Sequence, residues 1–413
     1  MDILRLITAG SVDDGKSTLI GRLLYDSKSI LSDQLAAIEK QSKNKEKGEI
    51  DLAILTDGLR AEREQGITID VAYKYFSTSK RKFIIADAPG HIQYTRNMVT
   101  GASNCDLAII LIDARKGVIE QTRRHSIITT LLGIPHIIVA INKMDLVNHS
   151  EETYNKIVSD YKKLQELLNI KDAFFIPISA LSGENIVEKS KNLSWYKGQP
   201  LLEILENVKL NSDINLTHAR FPVQYVIRPQ TDELHDYRGY AGKISSGVFK
   251  TGDKIIVHPA GIKTAIKKIE INNIQITEAF APQSVVLHLQ DAIDISRGDI
   301  IAKEEYPPTI THDLEVILCW MDTKPMEIGG KYLIQHNSKQ VRGAIKNIEY
   351  KINVNTLEKE IGTSSAQLND VCKATIKTAS PLAVDAYKTL RTNGGFILID
   401  ETSHVTVGAC IIQ

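Results

Sequence analysis

Within the first eighteen residues a glycine and four spacers lead into Gly-Lys-Ser: Gly10-Ser11-Val12-Asp13-Asp14-Gly15-Lys16-Ser17, followed by Thr18. This is the spacing of a phosphate-binding loop. Its glycines let backbone N–H groups turn inward onto an oligophosphate, and the N-terminal end of the following helix adds positive partial charge. Lys16 is expected to reach the β- and γ-phosphates, and the Ser17 hydroxyl to ligate Mg²⁺. A glycine-containing turn with no ligand is the bland alternative. The complete signature between an apolar strand and a helical stretch argues against it.

The base is read further along. Asn142-Lys143-Met144-Asp145 follows the apolar run HIIVAI, and Ser179-Ala180-Leu181 follows AFFIPI. The Asp145 carboxylate can accept from both N1–H and the exocyclic amine of guanine, a donor pair that adenine lacks. A buried carboxylate left unpaired by adenine costs on the order of 1–3 kcal/mol, enough to set a preference for GTP. Backbone N–H groups of the Ser179–Leu181 stretch can meet the guanine O6.

Asp87-Ala88-Pro89-Gly90 closes the strand KFIIADA. Asp87 is placed to hold Mg²⁺ through a water, and the Gly90 N–H to meet the γ-phosphate while Gly90 hinges the loop. Thr68, in QGITID, is the expected second hydroxyl on the metal. His91 follows the turn directly, where a histidine can orient the attacking water or carry positive charge beside the γ-phosphate. Lys16, Thr68 and His91 are therefore the catalytic candidates, with Val12 and Ile67 as an apolar gate over His91. Asp113, Arg115, Arg123 and Arg124 read as a strand end and a solvated helix face, and His125 and His136 as structural.

These residues need a scaffold, and the pattern supplies one. Residues 1–209 alternate short β-branched runs (ILRLITA, KFIIADA, LAIILIDA, HIIVAIN, AFFIPIS) with helical stretches at 16–25, 94–103, 120–132 and 151–168. That alternation predicts an α/β P-loop domain with a mostly parallel sheet covered on both faces. TIDVAYKYF alternates more clearly and suits an antiparallel edge. After a polar linker the period changes to two, and strands with Gly, Asp and Pro turns fill 218–306 and 310–413, which predicts two all-β barrels.

Composition narrows the classes. Hydrophobic residues at 43% and charged residues at 24% fit a globular protein. Fifty Lys plus Arg balance fifty Asp plus Glu, so no basic excess suggests a nucleic-acid partner. No apolar run approaches the roughly 20 residues that cross a bilayer, and no basic n-region or cleavage site opens the chain. The four cysteines are scattered without a CxxC pair, which fits a reducing cytoplasm better than disulfides or zinc.

The order of these motifs, with two barrels behind them, resembles the translation-factor GTPases, and the domain plan is elongation-factor-Tu-like. The longer stretches GSVDDGKSTLIGRLLYDS, DGLRAEREQGITIDVAYKYFSTSKRKFIIADAPGH, TGASNCDLAIILIDARKGV and QTRRHSIITTLLGIPHIIVAINKMDLV resemble the GTPase (large) subunit of bacterial sulfate adenylyltransferase. WYKGQPLLEILE, RGYAGKISSG, DISRGDI and NGGFILID carry the resemblance through the rest of the chain. It implies GTP and Mg²⁺ as cofactors. It also implies a partner, the catalytic (small) subunit, in a heterodimer or higher assembly. GTP hydrolysis then drives formation of adenosine 5′-phosphosulfate and pyrophosphate from ATP and sulfate, in sulfate assimilation. No second P-loop follows, so phosphorylation of the sulfate adduct is expected on another polypeptide. The competing expectation is an elongation-factor-like GTPase that carries aminoacyl-tRNA.

Overall fold

The protein is described from a computed structural model, which covers residues 2–28, 70–91, 94–210, 215–229 and 237–413. Thr68 and Ile67 lie outside the described residues. Contacts group the chain into two compact units, Met1–Leu210 with Val354–Leu357, and Asn211–Asn353 with Glu358–Gln413.

The first unit is built on six strands, β1 (Ile3–Ala9), β2 (Ala72–Ser77), β3 (Lys82–Asp87), β4 (Leu107–Asp113), β5 (His136–Asn142) and β6 (Ala173–Pro177), in the spatial order β2-β3-β1-β4-β5-β6. Neighbouring strands from β3 to β6 run parallel, and β2 runs antiparallel at the edge. Helices α1 (Lys16–Asp26), α2 (Thr95–Ala102), α3 (Glu120–Leu131) and α4 (Glu151–Leu168) follow the expected stretches. A short α5 (Leu201–Asn207) follows Pro200, which stands extended at its N-cap.

The central strand β4, LAIILID, is buried along its whole length. Its side chains split between two cores: Leu107, Ile109 and Leu111 join α1 and α5, while Ile110 and Ile112 join Ile157, Tyr161 and Leu164 of α4. A strand covered on both faces explains the unbroken apolar run. It also fixes the carboxyl ends of β1, β4 and β5 in one row, where the loops of an open parallel sheet gather their ligands.

The second unit holds two β modules with separate cores. In the first, β7 (Arg220–Pro222) and β8 (Tyr225–Ile227) interrupt what the sequence presents as a single strand. β7 pairs with Ile300–Ala302 and β8 with Gly239–Ala241. Val223 still bonds to Asp299 and Gly298, and the chain changes partners at Gln224, whose N–H bonds the Ala241 carbonyl. In the second module, the strands at 331–336, 395–399, 406–412, 309–320, 371–384 and 339–352 pair in turn, and the last pairs back onto the first. Closure of this kind removes the exposed edges of the sheet.

A buried ion pair joins the two modules. Arg220, 1% exposed, donates from Nε and Nη2 to the two Asp385 oxygens at 2.9 and 2.8 Å, and from Nη1 to the Tyr306 carbonyl at 2.7 Å. Asn393 Nδ2 adds a third bond to Asp385 at 2.7 Å. Removing one partner strands a charge away from water. Asp385→Ala is therefore expected to lower stability by about 3–5 kcal/mol, measured as a fall in the urea midpoint. The charge-free pair Arg220→Met with Asp385→Leu should recover most of that loss.

Candidate functional site

The phosphate loop spans Gly10 to Gly15 between β1 and α1. Gly15 has φ +93° and a Cβ placed there would lie 2.4 Å from Asn142 Nδ2. Only glycine satisfies both the left-handed backbone and that approach. Asp13 also takes a left-handed conformation, φ 65°. Ser17 and Thr18 open α1 behind Lys16, whose ammonium is buried and donates to the carbonyls of Gly10 at 3.1 Å and Ser11 at 2.9 Å. Burial pushes the Lys16 pKa down, while Asp87, Asp14 and Asp13 oppose the shift. Asp14 is 1% exposed and accepts from the Ser11 N–H through one oxygen; burial raises its pKa, and its other oxygen has no hydrogen-bond partner among the described residues.

Asp87 lies at the end of β3, 1% exposed. It accepts from Thr8 Oγ1 at 3.0 Å and from Ser17 Oγ at 3.4 Å. Ala88 is fully buried and bonds back to the Thr8 carbonyl at 3.3 Å, so it anchors the loop. Pro89 leads to Gly90, where a Cβ would lie 2.5 Å from Lys16 Nζ and 2.8 Å from the backbone of Ser11 and Val12. The loop after β3 thus rests directly on the phosphate loop. His91 follows, half-buried, with its ring 6.1 Å from that of Tyr94.

The third group of loops closes the site. Asn142, 1% exposed, donates from Nδ2 to the Asp14 carbonyl at 2.8 Å and accepts from the Ala180 N–H at 2.9 Å. Lys143, at φ 65°, donates to the Asp13 carbonyl and pairs with Asp113 at 3.1 Å. Met144 is fully buried and its N–H bonds the Ile178 carbonyl, so it anchors this loop to the strand beside it. Asp145 Oδ1 is buried with no hydrogen-bond partner among the described residues. An orphaned buried acceptor is the condition a guanine amide and amine would relieve. Ser179 N–H is spent on the Glu184 carbonyl and Ala180 N–H on Asn142, which leaves the Leu181 N–H as the donor for a ligand.

Sequence reasoning undervalued two residues here, Asp113 and Arg22, while His125, read as structural, lies in the core. Asp113 reads as a strand end, yet it is 1% exposed and accepts from the Arg115 guanidinium at 3.0 and 2.6 Å. Burial alone would raise its pKa, but Arg115 and Lys143 hold it well below the usual carboxylate range. It therefore fixes the Lys143 side chain. Arg22 in α1 grips the carbonyls of Ala180 and Leu181, a contact that no local signal announces. His125 is fully buried; burial, with Lys16 and Arg124 nearby, pushes its pKa down to about 3. A neutral imidazole adds no charge beside the phosphate loop.

This sheet, with its three loops at the strand ends, defines a GTP-binding domain of the elongation-factor class. The family model described as elongation factor Tu GTP binding domain matches residues 1–211, and that described as GTP-eEF1A C-terminal domain-like matches 313–413. "Sulfate adenylyltransferase subunit 1" of Alteromonas mediterranea is 53% identical over 413 residues, covering 100% of this chain and 87% of that protein. The protein of the same name from Aliarcobacter butzleri is 53% identical over 414 residues, with 100% and 87% covered. The "Bifunctional enzyme CysN/CysC" of Mycobacterium tuberculosis is 50% identical over 411 residues, 99% of this chain and 67% of that protein. The chain belongs to the sulfate adenylyltransferase subunit 1 family of translation-factor-type GTPases. Full-length relatives bearing that name do not favour the aminoacyl-tRNA carrier. Among the described residues no helix is long and apolar enough to cross a membrane.

Gly15→Ala tests the architecture. The methyl group collides with Asn142 and the backbone is strained, so guanine-nucleotide affinity should fall at least about a hundredfold, read by displacement of a fluorescent GDP.

Proposed function

We propose that this chain binds GTP with Mg²⁺ across its phosphate loop and the Asn142–Asp145 and Ser179–Leu181 loops, and hydrolyses it. Hydrolysis drives a separate catalytic (small) subunit to form adenosine 5′-phosphosulfate and pyrophosphate from ATP and sulfate. The two chains act as a heterodimer or higher assembly in the cytoplasm, a setting that fits four buried cysteines without a disulfide. The observation that carries the nucleotide reading is the buried, unpartnered Asp145 oxygen on a loop tied through Asn142 to the phosphate loop.

The residues fit a hard cation held partly by phosphate. The Ser17 hydroxyl and the Asp87 carboxylate meet at 3.4 Å, and both are oxygen donors of the kind Mg²⁺ takes together with waters and nucleotide oxygens. Thr68 supplies the second hydroxyl in this reading. Bound Mg²⁺ would neutralise charge on the β- and γ-phosphates. Lys16 leaves the Gly10 and Ser11 carbonyls for the phosphate oxygens. Gly90, already against Lys16, turns its N–H to the γ-phosphate. His91 orients the water that attacks the γ-phosphorus, whose bond to the bridging oxygen breaks to give GDP and phosphate.

Two measurements decide the reading. With the catalytic subunit, ATP and sulfate present, adenosine 5′-phosphosulfate should accumulate with GTP and stop when GDP replaces it; equal product with either nucleotide removes the coupling. Asp145→Asn should lose about tenfold or more in GTP affinity and gain for xanthosine triphosphate, whose base offers an acceptor where guanine has an amine. Retained GTP selectivity would contradict the base assignment.

A further inference from the structure

The peptide between Ala180 and Leu181 carries the one N–H of the Ser179–Leu181 loop left for a ligand, and its carbonyl is gripped from α1. Arg22 Nε donates to the Ala180 carbonyl at 3.3 Å, and Arg22 Nη2 donates to the next carbonyl, that of Leu181. A trans peptide is planar, with its C=O and N–H pointing in opposite directions. Holding the Ala180 oxygen therefore sets the direction of the Leu181 N–H. The guanidinium is itself fixed, by Asp26 one turn along α1 at 3.6 Å and by the Tyr25 ring, whose centroid lies 5.8 Å away. Gly183, at φ +81°, lets the loop come close: a Cβ there would lie 3.4 Å from Asp26 Oδ2 and 3.5 Å from Arg22 Cδ.

We propose that Arg22 is a positioning residue for guanine recognition: its planar fork fixes two successive peptides of the Ser179–Leu181 loop so that the Leu181 N–H faces the purine O6. The inference rests on the guanine reading above and adds the group that sets this donor's direction. Arg22 projects from the helix whose N-terminus serves the phosphates, so one rigid element indexes both ends of the nucleotide. Other bonds keep the loop in place without it, because Ser179 stays paired with Glu184 and Ala180 with Asn142. The Leu181–Ser182 peptide keeps the bond from Ser182 N–H to Ser179 Oγ, so the Ala180–Leu181 peptide is the one left without a restraint.

The test uses the full chain with GDP and 6-thio-GDP, in which a poorer acceptor replaces O6 and the edge read by Asp145 is kept. Wild-type protein should prefer GDP by about fivefold, the worth of one good hydrogen bond. Arg22→Ala should weaken GDP by about that factor, leave 6-thio-GDP nearly unchanged, and bring the ratio close to one. Arg22→Lys keeps the charge for Asp26 but lacks the fork, so it too should lose most of the preference while melting at the wild-type temperature. If both variants weaken the two nucleotides equally and keep the ratio, Arg22 only supports the fold and the proposal is overturned. If wild type itself makes no distinction, the Leu181 amide does not read O6 and the proposal is overturned, while the Asp145 assignment, which concerns the other edge of the base, is left to the xanthosine triphosphate test.

Discussion

The Asn142 carboxamide holds the nucleotide site in one piece. It stands at the end of β5, beside the edge strand β6, and uses its donor on the loop after β1 and its acceptor on the loop after β6. Aspartate at this place offers no donor for the Asp14 carbonyl, and leucine leaves two buried polar groups unpaired, at about 1–3 kcal/mol each. The same side chain packs so closely on Gly15 that it dictates which residue can stand there. Phosphate grip and base reading are thus parts of one geometry.

Charge around that tie is arranged so that the cations stay available. Lys143 is oriented by Asp113, a carboxylate that burial would otherwise neutralise and that Arg115 and Lys143 keep ionised. Lys16 is bound by carbonyls, with several carboxylates near enough to favour its charge. Phosphate oxygens make stronger, charge-assisted bonds than neutral carbonyls, so the exchange on nucleotide binding runs downhill. A tight carboxylate pair in the same place would have opposed it.

Local pattern revealed most of the first unit. Strands such as LAIILID show as unbroken apolar runs because both faces are covered, and α1 to α4 follow from period and length. The phosphate and base motifs were legible because each depends on spacing within a few residues. The roles of Arg22 and Asp113 were not, nor was the choice of Leu181 among the three amides of its loop, since these come from partners across the fold, 158 residues away for Arg22 and Ala180. α5 escaped notice for a different reason: seven residues hold too few turns for a helical period to emerge. The break between β7 and β8 was hidden because hydropathy alternates straight through 221–227, while the hydrogen-bond partner changes at Gln224.

The contact between Gly90 and the phosphate loop explains how occupancy can be transmitted. Lys16 Nζ sits between the carbonyls it now binds and the Gly90 peptide. A terminal phosphate drawn to Lys16 must share this space, so the peptide either turns its N–H to the phosphate or moves away. A side chain at Gly90 would jam both choices against Ser11 and Val12. His91 is the next residue, and α2 begins at Thr95. Any rotation of the Gly90 peptide therefore moves His91 and the start of α2 with it. In the proposed reading, the histidine assigned to the water and the segment that would signal to a partner answer to the same atoms of the nucleotide.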